Sequence, residues 1–347
     1  VRTRHYLDTD VLTAARERVA HIFDIFDHVA VCFSGGKDSS VVLHLVKEEA
    51  ERRGIAKVPV IFRDEELIPD AVVDHVASYR ELDWIDLRWY AIPLESHKYI
   101  LGRTYPYIQW DRNRPHVRDV PEWAITLPPG DERVFSQYTA DAFISQSFRG
   151  SVAFLTGVRA DESLMRLRSV LNKLSDPHIA AVKDTPNVKL GKPIYDWSEN
   201  DVLKFIHEQN IPYCKWYDAQ FYSGCSLRVS TPLHSEQAKR IGKLRQIDPA
   251  FYDRILKVFP EAATQDRYYR QLDRKAMRER YGQTLEGLLA YIEDNYEDPD
   301  QYDLAISRWK EVCSLHARNP DAYPIKHLLR YFVGGTIKRL PLPLRKT

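Results

Sequence analysis

The residues best suited to chemistry lie between Phe33 and Ser40, in the stretch Ser34-Gly35-Gly36-Lys37-Asp38-Ser39. An apolar run precedes it and a helical pattern follows it. Two adjacent glycines let successive N–H groups turn inward as an anion nest. A helix starting there adds its partial positive charge. Ser34 and Ser39 offer hydroxyl donors, and Lys37 offers a full charge. Asp38 is the acid placed to link to magnesium, directly or through water, or to cap the helix. The order is not the G-x-x-x-x-G-K-[ST] of a Walker loop, because the first glycine is missing and an acid follows the lysine.

A second group follows a later apolar run. Gly157 and Arg159 come directly after "VAFLT", and Arg166 lies one helical stretch further on. In open parallel sheets the carboxyl ends of strands face ligands, and a guanidinium fork suits phosphate. Asp161 and Glu162, between the two arginines, also suit a first helical turn.

Cys225 stands in a Gly/Ser loop near Arg228. Such a thiol is either a lowered-pKa carrier of sulfur or a small buried hydrophobe. Arg103, Arg112, Arg114 and Arg118 are interleaved with Tyr105, Tyr107 and Trp110, a mixture that suits unpaired nucleic-acid bases. Arg267, Arg270, Arg274 and Arg278 are spaced 3, 4 and 4, which predicts one shared helix face. Lys338, Arg339, Arg345 and Lys346 add charge near the end of the sequence.

Elements that position these residues can be read from the apolar pattern. Strands are predicted at 29–33, 58–62, 87–94 and 152–158, and helices at 10–26, 39–54, 69–83, 161–171 and 199–208. The first helix is capped by Asp10 or Thr9. The βαβα order predicts an α/β fold: a twisted parallel sheet with helices on both faces. Residues 95–135 read as an irregular insertion, and residues 232–347 as a helical module appended to a first domain of residues 1–231.

Composition sets the frame. With 347 residues, 29 % charged and 44 % hydrophobic, the chain is ordinary for a globular protein. A net charge of +1 gives no global attraction to nucleic acid, so local patches must supply it. No apolar run is long enough for a membrane span and no signal peptide is visible, so a cytoplasmic location is expected. The four cysteines are scattered, with no C-x-x-C pair and no Cys/His cluster in the sequence, which argues against a zinc or iron–sulfur site.

S-G-G-x-D-S after a strand resembles the signature of the PP-loop ATP pyrophosphatases, which include tRNA thiolases, GMP synthetase, asparagine synthetase and the PAPS reductase group. "TGVRADESLMR" and "KPIYDWSENDVLKFI" are similar to elements of PAPS-reductase-like proteins. "AARERVAHIFDIFDHVAVCFSGGKDSS", "VPVIFRDEEL", "YDAQFYSGCSLRVSTPLHSE" and "IDPAFYDRILKVFPE" look similar to the IbrA-like branch, near the Dnd and Ssp DNA-phosphorothioation enzymes. Together these matches cover about residues 14–262.

The resemblance implies an adenine nucleotide alpha-hydrolase-like fold and ATP cleaved between its α- and β-phosphates, with magnesium. The implied nucleotide-binding set is Phe33, Ser34, Gly35, Gly36, Lys37, Asp38, Ser39, Ser40, Asp64, Gly157, Arg159 and Arg166, with Asp64 at the ribose or adenine. Lys37, Asp38, Arg159 and Cys225 are the implied catalytic residues. DNA or RNA is an expected substrate, and a cysteine desulfurase an expected sulfur-transfer partner. The E-C-G-x-H tail of PAPS reductases is missing, as are the paired cysteines of iron–sulfur and Dnd-type enzymes. This departure argues against sulfonucleotide reduction.

Overall fold

The computed structural model describes residues 8–171, 176–182, 185–238, 241–268, 274–296, 298–334 and 337–344. In chain order, α1 (Val11–Ile25), β1 (His28–Cys32), α2 (Lys37–Arg52), β2 (Val58–Arg63), α3 (Asp70–Ser78) and β3 (Ile85–Tyr90) come first. Then follow β4 (Leu94–Ile100), β5 (Arg103–Gln109), α4 (Gln137–Ser145), β6 (Val152–Leu155), α5 (Leu164–Leu171), β7 (Ile179–Val182) and β8 (Thr185–Gly191). The helices α6 (Glu199–Glu208), α7 (Trp216–Tyr222), α8 (Ser235–Ala238), α9 (Ile241–Ile247) and α10 (Pro249–Val258) come next. The last are α11 (Glu261–Tyr268), α12 (Arg274–Tyr281), α13 (Leu285–Asn295), α14 (Pro299–Arg318) and α15 (Ile325–Val333).

Among the described residues, six strands form one sheet in the order β3-β2-β1-β6-β8-β7. Every pair is parallel except β7 with β8. Ala30 and Val31 of β1 pair with Phe154 and Leu155 of β6 on one side, and Val31 and Cys32 pair with Val60 and Ile61 of β2 on the other. Helices cover both faces. Leu190 packs with Phe154, Ile144 and Phe148 beside α4. The next residue, Gly191, must face the opposite way, and there a Cβ would lie 3.0 Å from Ile22 of α1. Burial on both faces explains why β1 and β6 read as unbroken apolar runs rather than alternating ones.

The expected parallel sheet is present. Its edge differs: β7 and β8 were not among the predicted strands. The predicted strand over 87–94 stops at Tyr90, because Ala91-Ile92-Pro93 leaves the ladder before β4 begins. The insertion is not wholly irregular, since β4 and β5 pair as a two-stranded ribbon.

Side chains fix the helix starts. Asp10 caps α1, its Oδ1 accepting from the N–H groups of Leu12 (2.9 Å) and Thr13 (3.0 Å). Ser198 and Asp201 cap α6 reciprocally: the Ser198 N–H donates to Asp201 Oδ2 at 2.8 Å, and the Asp201 N–H donates to Ser198 Oγ at 3.3 Å. The start of α2 carries no side-chain cap.

The chain divides into two compact units that interleave along the sequence. One comprises residues 1–96, 107–232 and 243–258, and holds the six-stranded sheet. The other comprises residues 97–106, 233–242 and 259–347. Its core is built by Leu288 and Ile292 of α13, Val312 of α14, and Leu328 and Phe332 of α15. No helix among the described residues is long and apolar enough to cross a membrane.

Candidate active site

The chain leaves the middle of the sheet after β1, builds β2 and β3 on one side, and returns to place β6 on the other. The carboxyl ends of β1 and β6 therefore flank the point where strand order reverses, the usual crevice for a ligand in an open α/β sheet. Residues 33–40 and 156–159 both lie there.

The first loop is held from within. The Phe33 N–H still bonds the Ile61 carbonyl at 2.9 Å, and its ring packs 4.7 Å from that of Tyr79. Gly35 sits at φ +74°, and a Cβ there would lie 2.7 Å from Val76 Cγ2, so both conformation and space require glycine. The Ser39 and Ser40 hydroxyls donate to the Gly36 carbonyl at 2.9 and 3.1 Å. The Ser34 N–H donates to Ser39 Oγ at 3.2 Å. These bonds turn the loop back on α2. The first intrahelical bond runs from the Ser40 N–H to the Gly36 carbonyl, so the N–H groups of Lys37, Asp38 and Ser39 precede the first rung. The Lys37 N–H is taken by the Tyr217 hydroxyl at 2.9 Å, which leaves those of Asp38 and Ser39 as a seat for an anion.

The second loop closes on the first. A Cβ at Gly157 would lie 2.6 Å from the carbonyl carbon of Asp38 and 2.7 Å from the Ser39 nitrogen. Backbone therefore meets backbone, and this approach brings Arg159 to Asp38: Nε donates to Asp38 Oδ1 at 2.5 Å. Arg159 Nη1 points to the Trp197 carbonyl at 3.5 Å, and among the described residues Nη2 has no hydrogen-bond partner. Lys37 Nζ lies 3.1 Å from Asp38 Oδ2 and 3.3 Å from Glu199 Oε1. Lys37 and Arg159 are buried, whereas the Glu199 side chain is 52 % exposed. The crevice thus holds two buried cations bridged by one carboxylate, with spare donor capacity.

Two members were not among the expected site residues. Tyr217 of α7 accepts the Lys37 N–H on its hydroxyl at 2.9 Å, and burial keeps its phenol protonated. Glu199 begins α6. Both lie far from the loop in sequence, and no spacing rule connects them to it. The loop after α7 returns Val229 to within 3.1 Å of a Cβ at Gly36. Cys225 lies on this same loop, half-buried, its N–H donating to the Gln220 carbonyl at 2.8 Å. Cys32, by contrast, is a core thiol that burial pushes up to about 12.

Other expected contacts are placed differently. Asp64 is fully buried, and its carboxylate accepts from Trp89 Nε1 at 2.8 Å, from the Glu66 N–H at 2.9 Å and from Arg118. With its oxygens so committed, it anchors the insertion rather than facing a ribose or adenine. Its neighbours are not solvated loop charges either. Glu65 accepts the Thr231 N–H at 2.9 Å, and Glu66 is fully buried. Arg166 pairs with Glu162, whose Oε2 also accepts the Arg159 N–H at 3.4 Å, so it stands one residue removed from the phosphate loop.

The basic patch of the insertion is also smaller than expected. Both terminal nitrogens of Arg114 donate to Glu66, at 2.7 and 2.6 Å, and Arg118 is spent on Asp64, so these two turn inward because buried carboxylates need them. Arg112 donates to the carbonyls of Leu127 and Pro128 at 2.8 and 3.1 Å. Trp110 and Tyr107 are buried, and Tyr105 is exposed. In the other unit, Arg103 is on β5, Arg267 on α11, and Arg274 and Arg278 on α12. Arg270, Arg345 and Lys346 lie outside the described residues, so the shared arginine face is not described.

Glu66 gives a direct test of how the insertion is held. Its backbone sits at φ +62°, and it also accepts the Trp110 and Val117 N–H groups at 2.6 and 3.2 Å. Arg114→Ala leaves this carboxylate buried with no guanidinium. The expected cost is about 3–5 kcal/mol in urea unfolding. Arg112→Ala, at an exposed position, should cost under about 1 kcal/mol.

The model of the phosphoadenosine phosphosulfate reductase domain matches residues 28–230, from the start of β1 to just past Val229. The uncharacterized protein YbdN of Escherichia coli K12 is 30 % identical over 262 residues, covering 70 % of this chain and 64 % of YbdN. An adenosine 5'-phosphosulfate reductase of Neisseria meningitidis is 28 % identical over 151 residues, covering 41 % of this chain and 58 % of the reductase. The chain thus matches about three fifths of the length of each of these relatives. Among solved structures, the FMN adenylyltransferase of Candida glabrata, in complex with FAD and inorganic pyrophosphate, is 14 % identical at a TM-score of 0.40, covering 60 % of this chain and 58 % of that one. The PAPS reductase of Candida auris is 13 % identical at a TM-score of 0.34, covering 62 % and 94 %. With the family model matching more than half of its residues, including both loops of the crevice, the chain belongs to the phosphoadenosine phosphosulfate reductase domain family.

Proposed function

We propose that this chain is an ATP pyrophosphatase that adenylates an acceptor. The observation that carries the reading is the uncapped start of α2 facing two buried cations, Lys37 and Arg159, that share Asp38. An acceptor oxygen attacks the α-phosphorus of ATP, and the bond from the α-phosphorus to the bridging oxygen breaks. Pyrophosphate leaves with the bonding electrons and AMP becomes joined to the acceptor, any proton carried by the acceptor oxygen passing to solvent. The loop N–H groups, Lys37 and Arg159 offset the charge that grows on the leaving group. Exposed Glu199 is the anion that an incoming phosphate would displace from Lys37.

The terminal sulfur of a persulfide on Cys225 then attacks the adenylated position, AMP leaves with the bonding electrons, and a second thiol cleaves the S–S bond, so that the sulfur stays on the acceptor and Cys225 ends in a disulfide with that thiol. The acceptor we favour is nucleic acid, in a phosphorothioation-type modification, with sulfur from a cysteine desulfurase and Cys225 as the carrier on the loop that reaches Gly36. The IbrA-like segments and the resemblance to Dnd and Ssp enzymes support this finer reading.

Magnesium fits less well. Asp38 is the only acid inside the loop, and both of its oxygens already face cations. It serves to orient Lys37 and Arg159, and no protein ligand is assigned to the ion.

The family match itself favours a second reading, in which PAPS is the substrate and a thiol reductant is consumed. Supplying ATP and PAPS separately, with a dithiol present, distinguishes them. The expected result is AMP and pyrophosphate from ATP and no PAPS-dependent thiol oxidation. Turnover of PAPS without turnover of ATP would replace the proposal by the second reading. Tight ATP binding with no product would make the chain a nucleotide-binding regulator.

A further inference from the structure

On a different part of the sheet unit, three ligand-type side chains from two distant segments meet. His21 belongs to α1, and Asp176 and His178 lie just before β7. One ligand atom from each lies within 4.8 Å of those of the other two. His21 Nε2 is 3.8 Å from Asp176 Oδ2, and the two imidazole rings stand 5.7 Å apart at 66°. Rings set edge to face in this way can aim nitrogens at a common point, which stacked rings cannot.

His178 is 8 % exposed, whereas the side chains of His21 and Asp176 are 46 % and 60 % exposed. One ligand is therefore fixed from inside, and two can swing in from solvent. Main-chain bonds steady the segment: the Lys192 N–H donates to the His178 carbonyl at 2.7 Å, and the Ile179 N–H to the Asp176 carbonyl at 3.2 Å. A surface His–Asp pair needs only His21 and Asp176, and it leaves the convergence of the second imidazole unexplained.

We propose that His21, Asp176 and His178 form a binding site for a divalent transition-metal ion of the zinc class, with water in the fourth position. Two imidazole nitrogens and one carboxylate oxygen are a borderline donor set, suited to zinc, cobalt or nickel over magnesium or calcium. Zinc–nitrogen bonds of about 2.0–2.1 Å would draw the three atoms closer than they now stand, which the two exposed side chains permit. The ion would tie α1 to the edge strand β7. Its effect is stabilisation by mass action, independent of the chemistry at Lys37 and Arg159. The sequence could not show this site, because Asp-x-His supplies only two ligands and the third lies more than 150 residues earlier.

The test uses the full chain, stripped with a chelator and titrated with cobalt(II) chloride and, separately, zinc chloride. The expected result is one equivalent of cobalt bound at micromolar concentration, with visible bands of a low-symmetry nitrogen/oxygen site, and a Tm that rises with zinc but not with magnesium. His21→Ala, at an exposed position, should abolish the bands and the Tm rise while the chain stays folded. His178→Gln should do the same. Absence of cobalt binding by the parent chain overturns the proposal. So does unchanged binding in His21→Ala, thiolate charge-transfer absorption that assigns the metal to cysteine, or an equal Tm rise with magnesium.

Discussion

Replacing Arg159 by alanine is expected to lower AMP formation from ATP by about 10²–10³-fold, the usual loss when one preorganised donor to a developing anion is removed. Arg159 is buried, fixed by Asp38, and keeps a terminal nitrogen without a protein partner among the described residues. Its charge is therefore available at the point where negative charge would grow. Arg159→Lys keeps the charge but loses the fork, so it should recover only part of the rate. Lys37→Ala should cause a loss of similar size. Because both cations act through Asp38, the double variant should lose less than the product of the single effects. Fully multiplicative losses would mean that the two cations work independently.

The second large effect is expected at Gly157. Its Cβ would collide with the backbone of Asp38 and Ser39 at 2.6 and 2.7 Å, and neither is the loose end of a side chain. Gly157→Ala should cost about 3 kcal/mol, the upper part of the range for overpacking. It should also weaken ATP binding, because relief of the clash moves the start of α2. Gly54→Ala is the control. It strains a backbone at φ +71°, which Gly157→Ala does not, but a Cβ there meets nothing within 4 Å. It should lose about 1 kcal/mol and leave ATP binding unchanged. Urea unfolding and calorimetric ATP titration read both quantities. Equal effects on ATP binding in the two variants would show that the approach of the loops does not shape the site.

The phosphate loop was legible in the sequence because its determinants are local. A β-branched strand, two glycines, a lysine and an amphipathic helix follow one another between His28 and Arg52, and each element enforces the next. Arg159 was legible for a related reason, since it follows a buried parallel strand and such strands end at the ligand crevice. Asp10 announced its helix in the same way.

What was not legible depends on tertiary partners. Tyr217 and Glu199 reach Lys37 only because α6 and α7 pack against the loop. Glu66 reads as one charge in an acidic run, and only the arrival of Arg114 from the insertion allows it to be buried. The arginine–aromatic interleaving of 103–118 looked like a nucleic-acid surface, but Arg114 and Arg118 serve buried carboxylates. β8 was overlooked because "TPNVKLG" mixes proline and polar residues, and its ladder to β6 is specified by the partner strand more than by its own pattern. The His21–Asp176–His178 cluster has no signature in the sequence at all.

The crevice between β1 and β6 is proposed to break ATP between its α- and β-phosphates. The most direct measurement incubates the chain with ATP labelled at the α-phosphate, with and without single-stranded DNA or RNA, and identifies the labelled product together with the phosphate released. The expected products are AMP, free or joined to the acceptor, with pyrophosphate in equal amount, and about 10²–10³-fold less of both from Arg159→Ala over the same interval. Labelled ADP with inorganic phosphate would contradict it.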